Sequence, residues 1–337
     1  MDAMRPIIWK WIVIAASVLG VLLIASETEV GTFIQERKAD LVMSEAFQTD
    51  SIEALEHNPL MQRIMAEAKQ HEVAPINARI DRVWKAIPGY NGVEADIERT
   101  YKANKGKSEQ DKLKWILREV KPEVSLRDLE PQPIYRGNPN KPMVALMINV
   151  AWGNEFITPM LKVLQEEKVK ASFFLDGSWL SKNPDVAKQI QAEGHELENH
   201  AYTHPNMSEL SAGLQSQQIE KTKRLLKETL GVENKWFAPP SGDFNALTVT
   251  TAHAHGLSTV LWTLDTVDWK KPEPSTILQK IRKKVEPGTL ILMHPTSSSS
   301  RALQDMIRII KDKGFHPGTV SDTLSEQRVP LVPVERR

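Results

Sequence analysis

The fold is decided between residues 144 and 175, where the sequence reads VALMINV (Val144–Val150), FITPMLKVLQEE (Phe156–Glu167) and ASFFL (Ala171–Leu175). The first and third segments are short apolar runs, which are typical of strands buried on both faces. The second has the spacing of an amphipathic helix. A strand, a helix and a second strand form one β–α–β unit of a parallel sheet, so the sequence predicts an α/β protein.

The same alternation continues toward the C-terminus. Helices are predicted at 184–193, 214–230, 246–255, 275–284 and 302–313, and strands at 196–200, 236–238, 259–264 and 290–294. The serine run 297–300 is predicted to be a flexible polar loop. Repeated β–α units form either a barrel or a doubly wound sheet, and in a barrel the chemistry lies at the carboxyl ends of the strands.

The N-terminal segment, residues 1–30, is predicted to be a signal anchor. Arg5 and Lys10 precede an uncharged apolar run from Trp11 to Ala25, after which acidic residues begin. Counted from residue 7, this run approaches the about 20 residues that span a membrane. Large residues at the −3 positions argue against cleavage. The charge order predicts a single-pass cell-membrane protein with an extracytoplasmic C-terminal domain, or a secreted protein if the segment is cleaved.

The region between the anchor and the strand at 144–150 has three segments of different composition. Residues 31–72 are polar and helical, as in a solvated stalk. Residues 73–125 are predicted to form a small α/β module, with a strand at 93–101 and a helix at 110–120. Residues 126–141 form a Pro-rich linker. The large domain then covers 142–325, and 326–337 are a C-terminal tail.

Composition excludes several classes of protein. The 337 residues carry 43 Lys+Arg and 43 Asp+Glu, so the formal net charge is zero and no nucleic-acid partner is expected. Hydrophobic residues make up 41%, enough for a sizeable core. The chain has no cysteine, which excludes disulfides, thiolate zinc sites and cysteine nucleophiles. A metal ion would need His, Asp or Glu ligands.

Polar clusters follow five of the predicted strands, at 149–153, 200–205, 238–242, 265–269 and 293–295. His200 and His204 are four residues apart, a separation that lets two imidazoles bind one metal ion. Each cluster alone also fits an ordinary role, such as a helix cap or a buried histidine. Their joint occurrence in this order favours an active site at the carboxyl edge of the sheet.

With these clusters, the chain resembles the NodB-homology polysaccharide deacetylases, carbohydrate esterase family 4 (CE4). The resemblance covers about residues 142–324 and includes ASFFLDG (Ala171–Gly177) and GHELENH (Gly194–His200). It implies a distorted (β/α)7 barrel with a groove for N-acetylated glycans. It also implies amide hydrolysis by a divalent metal, usually zinc, held by Asp-His-His, with an Asp as base and a His as acid. With its anchor and module, the chain looks most like the membrane-anchored, sporulation-associated subgroup.

The resemblance assigns roles to individual positions. His200 and His204 match the metal-binding histidines. His294 matches the general acid, and Asp268 matches the aspartate that tunes it. The substrate groove is matched by Trp269, Pro240, Ser241 and Asp265, although Ser241 replaces the usual aromatic residue.

Two key carboxylates of the family are missing. Where the family has Thr-Phe-Asp-Asp-Gly, this chain has MINVA (Met147–Ala151). Asn149 therefore stands at the position of the base, and Val150 at that of the metal-binding aspartate. Ala238 replaces the arginine that orients the base. An amide has no usable basicity at neutral pH, so these changes predict a slow or inactive site.

Glu198 is a candidate substitute for the lost carboxylate. In a strand, residues two apart face the same side, so Glu198 shares a face with Glu196 and His200. We hypothesise that Glu198 acts as metal ligand or base. The alternative is a solvated or ion-paired Glu198 in a barrel whose catalysis has lapsed.

Three functions stay open at this point. The first is a cell-envelope deacetylase that hydrolyses the N-acetyl amide of N-acetylhexosamine glycans such as peptidoglycan, with a reorganised metal site. The second is a catalytically lapsed relative that binds glycan or acts as a scaffold in sporulation or cell-wall assembly. The third is an O-deacetylase or another C–N hydrolase. The number of carboxylates near His200 discriminates between an enzyme and a binding protein.

Overall fold

The structure is a computed structural model that describes residues 58–108 and 110–329. The predicted anchor, most of the predicted stalk and the end of the tail lie outside the described residues. Within the described ranges, none of the helices has both the length and the apolar character that crossing a membrane requires. The described residues form two compact units, the first from 58–71 and 95–117 and the second from 72–94 and 118–329. This division differs from the predicted module boundaries of 73 and 125.

The first unit is a small helical cluster. Helix α1 (Pro59–Ala68) begins at Asn58, whose side chain accepts hydrogen bonds from the backbone of the first turn. Helix α2 (Ile97–Asn104) begins at Asp96 in the same way. Apolar and aromatic side chains, Met61, Ile64, Tyr101 and Leu113, form its core. The predicted strand over 93–101 is therefore wrong beyond residue 95, because the Asp96 cap starts a helix.

The second unit opens with a hairpin of two antiparallel strands, β1 (Arg79–Asp81) and β2 (Lys85–Ile87). Asp81 accepts hydrogen bonds from the backbone of Val83 and Trp84 and so closes the turn. Two further short strands, β3 (Gly92–Ala95) and β4 (Leu117–Val120), contain the positions at which the chain is divided between the two units. The predicted helix over 110–120 is thus wrong, since tertiary context overrides helix propensity there.

A parallel sheet forms the centre of the second unit. Its strands are β5 (Met143–Val150), β6 (Ser172–Leu175), β7 (Glu196–Asn199), β8 (Trp236–Phe237), β9 (Ser258–Thr259), β10 (Leu264–Asp265), β11 (Leu290–Met293) and β12 (His316–Gly318). The order is β10-β11-β5-β6-β7-β8-β9, and β12 pairs with the start of β5. Every pairing in this sheet is parallel. The predicted strand 259–264 is two separate strands, β9 and β10.

Helices connect the strands of the sheet. They are α3 (Asn154–Glu166), α4 (Gly177–Lys182), α5 (Pro184–Ala192), α6 (Ala212–Leu230), α7 (Ala246–Ala254), α8 (Pro274–Lys284), α9 (Ser297–Asp312) and α10 (Val320–Leu324). The serine run 297–300 is the first turn of α9, so the predicted loop is wrong. Thr296 caps this helix by accepting a hydrogen bond from the backbone N–H of Ser299.

The two faces of the sheet have different neighbours. On β5, Leu146, Ile148 and Val150 belong to a large apolar cluster that includes residues of the surrounding helices. Met147, on the opposite face, joins a smaller cluster that also contains Phe174. The sheet curls around this smaller cluster as a half-barrel. This confirms the α/β class and the barrel-like parallel sheet that the sequence predicts.

The predicted linker, 126–141, is folded against the sheet. The backbone N–H of Ile134 donates to the carbonyl of Thr259, and that of Leu261 donates to the carbonyl of Ile134. Lys141 is only 2% exposed, and its ammonium donates to the carbonyls of Asp322 and Ser325. Burial lowers the pKa of Lys141 to about 8. The segment therefore completes the domain and is not a spacer.

Candidate active site

The predicted site residues lie together at the carboxyl edge of the sheet. Asn149 and Val150 end β5, His200 follows β7, Asp268 follows β10 and His294 follows β11. Because all these strands are parallel, their carboxyl ends meet at one edge. The sheet thus positions these side chains through strand order and not through sequence proximity.

Asp268 and His294 form a buried hydrogen-bonded pair. Nδ1 of His294 lies 2.8 Å from one Asp268 carboxylate oxygen. The other oxygen accepts from the His294 backbone at 2.7 Å and from the Ser299 hydroxyl at 2.5 Å. Burial alone would raise the pKa of Asp268, but these hydrogen bonds and the charge of His294 hold it below its usual value. An ionised Asp268 fixes the proton on Nδ1 and leaves Nε2 of His294 directed away from it.

His200 and His204 also lie beside each other. Their ring centroids are 5.1 Å apart at an interplanar angle of 74°. Nδ1 of His200 lies 2.7 Å from the carbonyl oxygen of Ala238, so Nδ1 carries the proton. Burial, with a smaller effect of His204, lowers the pKa of His200 to about 3. Burial also lowers the pKa of His204. Both imidazoles are therefore neutral at physiological pH.

No carboxylate occupies the positions that the family uses. Asn149 is 2% exposed, and its side-chain oxygen has no hydrogen-bond partner among the described residues. Val150 is fully buried in the apolar cluster between sheet and helices. The buried end of β5 is thus an amide next to a hydrocarbon side chain, and it offers neither a base nor a charged metal ligand.

Glu198 is engaged elsewhere. One of its carboxylate oxygens accepts hydrogen bonds from the backbone N–H groups of Lys235 (2.8 Å) and Trp236 (2.7 Å). Burial raises the pKa of Glu198 well above its usual value, and the charge of Glu196 adds to this shift. The structure therefore does not support Glu198 as the substitute ligand or base, because its carboxylate is bonded to the backbone at the start of β8.

The residues present do not fit the metal ion that the family implies. Across residues 58–108 and 110–329, no group of three His, Asp or Glu side chains is arranged to hold a metal. Two neutral imidazoles without a carboxylate are an incomplete ligand set for zinc. The predicted zinc site is not supported by this arrangement.

Asp176 was not among the predicted site residues, whereas Trp152 belongs to the predicted cluster 149–153. Asp176, 2% exposed, follows β6 and caps α4, while its second oxygen is buried without a partner among the described residues. Its charge acts on His204. Trp152 stacks on His294 at 5.3 Å and 16° and meets His204 edge-on at 6.4 Å. The only signal for Asp176 was its place directly after a strand, where an Asp-Gly pair also fits an ordinary turn.

The predicted groove residues have mixed environments. Trp269 is 52% exposed, Trp152 44% exposed, and Pro240 is buried. Ser241 has a left-handed backbone with φ of 56°. Asp265 accepts a hydrogen bond from the backbone N–H of Val267 at 2.7 Å. The substrate-binding role of these four predicted residues stays a prediction.

Known proteins are similar to this chain in sequence and in fold. The family described as Polysaccharide deacetylase matches residues 136–260. The Bacillus subtilis protein YlxY, which is uncharacterised, is 47% identical over 272 residues, 81% of this chain and 85% of its own length. A peptidoglycan-N-acetylglucosamine deacetylase from Bacillus cereus is 35% identical over 185 residues, 53% of this chain and 67% of its own length.

A solved structure is similar over most of the chain. It is a CE4 family pseudoenzyme from Bacillus anthracis, 46% identical with a TM-score of 0.75, and the match covers 81% of this chain and 97% of that one. A mutant of the pseudoenzyme, described as having restored enzymatic activity, is 45% identical to this chain. By these identities, coverages and the shared fold, the chain belongs to the polysaccharide deacetylase family CE4.

Proposed function

We propose that this protein is a catalytically lapsed CE4 deacetylase that binds N-acetylhexosamine glycan of the cell wall, such as peptidoglycan, in the groove at the carboxyl edge of the sheet. The observation that carries the proposal is the end of β5, where the buried side-chain oxygen of Asn149 has no hydrogen-bond partner among the described residues and Val150 lies in the apolar core. The Bacillus anthracis relative, a pseudoenzyme, supports it.

The chemistry of amide hydrolysis explains why these positions decide activity. A water molecule must lose a proton as it attacks the acetyl carbonyl, and the leaving amine must gain one. His294, oriented by Asp268, is placed to give a proton. No group at Asn149 can take one. Loss of a general base typically lowers the rate by about 10²–10⁴-fold.

The carboxyl edge of the sheet has features that suit binding. Trp152 and Trp269 expose large aromatic surfaces at the same edge, and such faces stack on the apolar faces of sugar rings. Ala201, His204 and Val267 keep left-handed backbone conformations with φ between 56° and 59°. Strained residues of this kind persist where the surrounding structure enforces them, commonly at functional sites. Retained geometry without retained catalysis supports a binding role.

The proposal extends to location. The basic N-terminus, the apolar run from Trp11 to Ala25 and the acidic residues after it support a single-pass cell-membrane anchor with the glycan-binding domain outside. The combination of anchor and domain supports a place in the sporulation-associated subgroup. The Bacillus cereus relative, a peptidoglycan-N-acetylglucosamine deacetylase, supports a role at the cell wall.

The test compares the native chain with Asn149→Asp/Val150→Asp. We expect the native protein to bind N-acetylglucosamine oligomers or peptidoglycan, measured by calorimetry and pull-down, and to release no acetate from either. We expect the double variant to gain zinc affinity and measurable acetate release. Asn140→Asp, at an exposed asparagine, is the matched control. Acetate release by the native protein with stoichiometric metal would overturn the proposal.

One observation favours a second candidate, an active hydrolase with a displaced base. Asp176 has a buried oxygen without a partner among the described residues and acts electrostatically on His204. Desolvation raises the pKa of Asp176, as a general base requires. If native acetate release is found, Asp176→Asn should abolish it, and unchanged release in that variant would exclude this candidate.

A further inference from the structure

A second concavity lies at the edge of the sheet opposite the candidate active site. Its volume is about 900 Å³, within the range of small-molecule sites. The first residues of β8 and β9 line it, together with part of the predicted linker and the end of α10. Since the candidate active site lies at the carboxyl ends of the strands, this amino-edge cavity is a separate place.

Trp236 forms a rigid aromatic wall of the amino-edge cavity. Its backbone N–H donates to Glu198 at 2.7 Å, and its indole N–H donates to the Ser321 hydroxyl at 2.8 Å. Ser321 in turn donates to Glu196. These bonds use the polar atoms of Trp236 and fix its ring, which remains half-buried at the cavity. A ring held in this way stacks on a ligand with little loss of conformational entropy.

Thr259 adds an unused polar group. Thr259 is among the residues that line the cavity and is 1% exposed, and its hydroxyl has no hydrogen-bond partner among the described residues. Buried polar atoms normally have partners, and an unpaired one is unfavourable. A ligand hydroxyl that reached Thr259 would satisfy it.

The charges around the cavity nearly cancel. Its lining has three basic and four acidic side chains, namely Lys121, Arg127, Lys235, Asp128, Glu130, Asp322 and Glu326. Apolar side chains, including Leu257 and Leu324, complete the lining. This balance favours neither a strong anion nor a strong cation. It suits an uncharged molecule with one apolar face and many hydrogen-bonding edges.

We propose that the amino-edge cavity binds a short uncharged saccharide, with one sugar ring stacked on Trp236 and a hydroxyl bonded to Thr259. Saccharides combine an apolar ring face with hydroxyl edges, which match the aromatic wall and the mixed donors and acceptors of the rim. The inference stands independently of the function proposed for the opposite edge.

The test uses the full chain carrying Trp152→Ala and Trp269→Ala, so that the carboxyl-edge groove lacks its aromatic surfaces. Tetraacetylchitotetraose, cellotetraose and the peptide Ala-Glu-Lys-Ala are titrated into it by calorimetry. Two further changes are added separately: Ser258→Trp, which fills the cavity, and Trp236→Leu, which removes the ring. Ser181→Trp, on an exposed residue of α4, is the control.

We call the Trp152→Ala/Trp269→Ala chain the parent and expect it to bind a tetrasaccharide. Adding Ser258→Trp or Trp236→Leu should lower this affinity at least tenfold. Adding Ser181→Trp should leave it unchanged. If Trp236→Leu is unfolded by circular dichroism, Ser258→Trp decides. Absence of saccharide binding, or affinity unchanged by Ser258→Trp, would overturn the proposal. The proposal would also be overturned if Ser258→Trp abolished binding of the peptide but not of the saccharides. Glycan binding by the native chain but not by the parent would keep the carboxyl-edge proposal while this one failed.

Discussion

Asp268 is fully buried, and each of its carboxylate oxygens accepts a hydrogen bond from His294, one from the ring Nδ1 and the other from the backbone N–H. This arrangement survives although the base at Asn149 is lost. Its persistence has a structural reason, because removal of the carboxylate would leave several buried donors without an acceptor.

Replacing Asp268 by Asn should therefore lower the free energy of unfolding by about 2–4 kcal/mol, since an amide offers one acceptor and turns an NH₂ group toward other donors. Urea unfolding measures the change. Asp312→Asn, at an exposed residue in the last turn of α9, should change it by less than about 0.5 kcal/mol. Equal effects of the two variants would contradict this account of Asp268.

Glu198→Gln should preserve the fold and leave metal affinity unchanged. The amide oxygen can still accept from Lys235 and Trp236. Because the folded pKa of Glu198 is raised, the folded state holds its proton above the ordinary pKa, and ionisation lowers stability as pH rises from there. We expect Glu198→Gln to be at least as stable as the native protein at pH 7.

Glu198→Ala is the contrasting variant. It removes the acceptor and leaves two partly buried N–H groups unpaired, which should cost about 1–3 kcal/mol. Urea unfolding of both variants at pH 7 compares their free energies of unfolding. A loss of zinc binding in Glu198→Gln would instead restore the metal-ligand hypothesis for this residue.

At the scale of elements, the serine run that begins α9 shows where sequence reasoning failed. Serine has modest helix propensity, so four in succession read as a loop. In the structure, Thr296 caps the helix, Ser298 donates to the Pro272 carbonyl and Ser299 donates to Asp268. These long-range acceptors are not visible in the local sequence.

Thr296→Ala should lower the free energy of unfolding by about 0.5–2 kcal/mol, because it removes the cap of α9. Its hydroxyl also lies 3.3 Å from Asp268, so the effect should fall in the upper half of that range. Thr250→Ala, at an exposed site inside α7, is the control for loss of a threonine hydroxyl. A smaller effect at Thr296 than at Thr250 would contradict the capping role.

The strand ends were the part of the site that the sequence predicted well. Short apolar runs located β5, β6 and β11, the alternation of strands and helices located β7, and polar residues at or directly after the strand ends pointed to Asn149, His200 and His294. What local pattern could not provide was side-chain direction. Glu198 shares a face with His200, yet its carboxylate binds the neighbouring strand.

For the molecule as a whole, the free energy of unfolding should decrease at acid pH because of His195. This side chain is 7% exposed, and burial lowers its pKa to about 4. The unfolded chain takes up a proton near pH 6.5 while the folded chain does not, so stability falls as pH drops from about 6.5 to 4. The loss should be on the order of 2–3 kcal/mol.

Urea unfolding at a series of pH values measures this loss. His195→Gln should flatten the dependence in that window, and His316→Gln, at an exposed strand residue, should not. An identical pH profile for native protein and His195→Gln would show that other groups control acid unfolding.

The α/β class and the family-like order of motifs were accessible from the sequence because they depend on apolar periodicity. The bounds of the two compact units were not accessible in this way. Residues 72–94 and 118–141, which the sequence assigned mainly to the small module and the linker, join the large unit through contacts with residues far away in the sequence. Ile134 on the edge of β9 is one such contact.

Lys141 also bears on how the chain is made. Its acceptors at Asp322 and Ser325 are separated from it by 181 and 184 residues, and β12, the last strand, pairs with the start of β5. During synthesis, β5 emerges long before these partners do. These contacts can therefore form only after residues 316–325 have been synthesised, whereas β11 can pair with the later part of β5 before that.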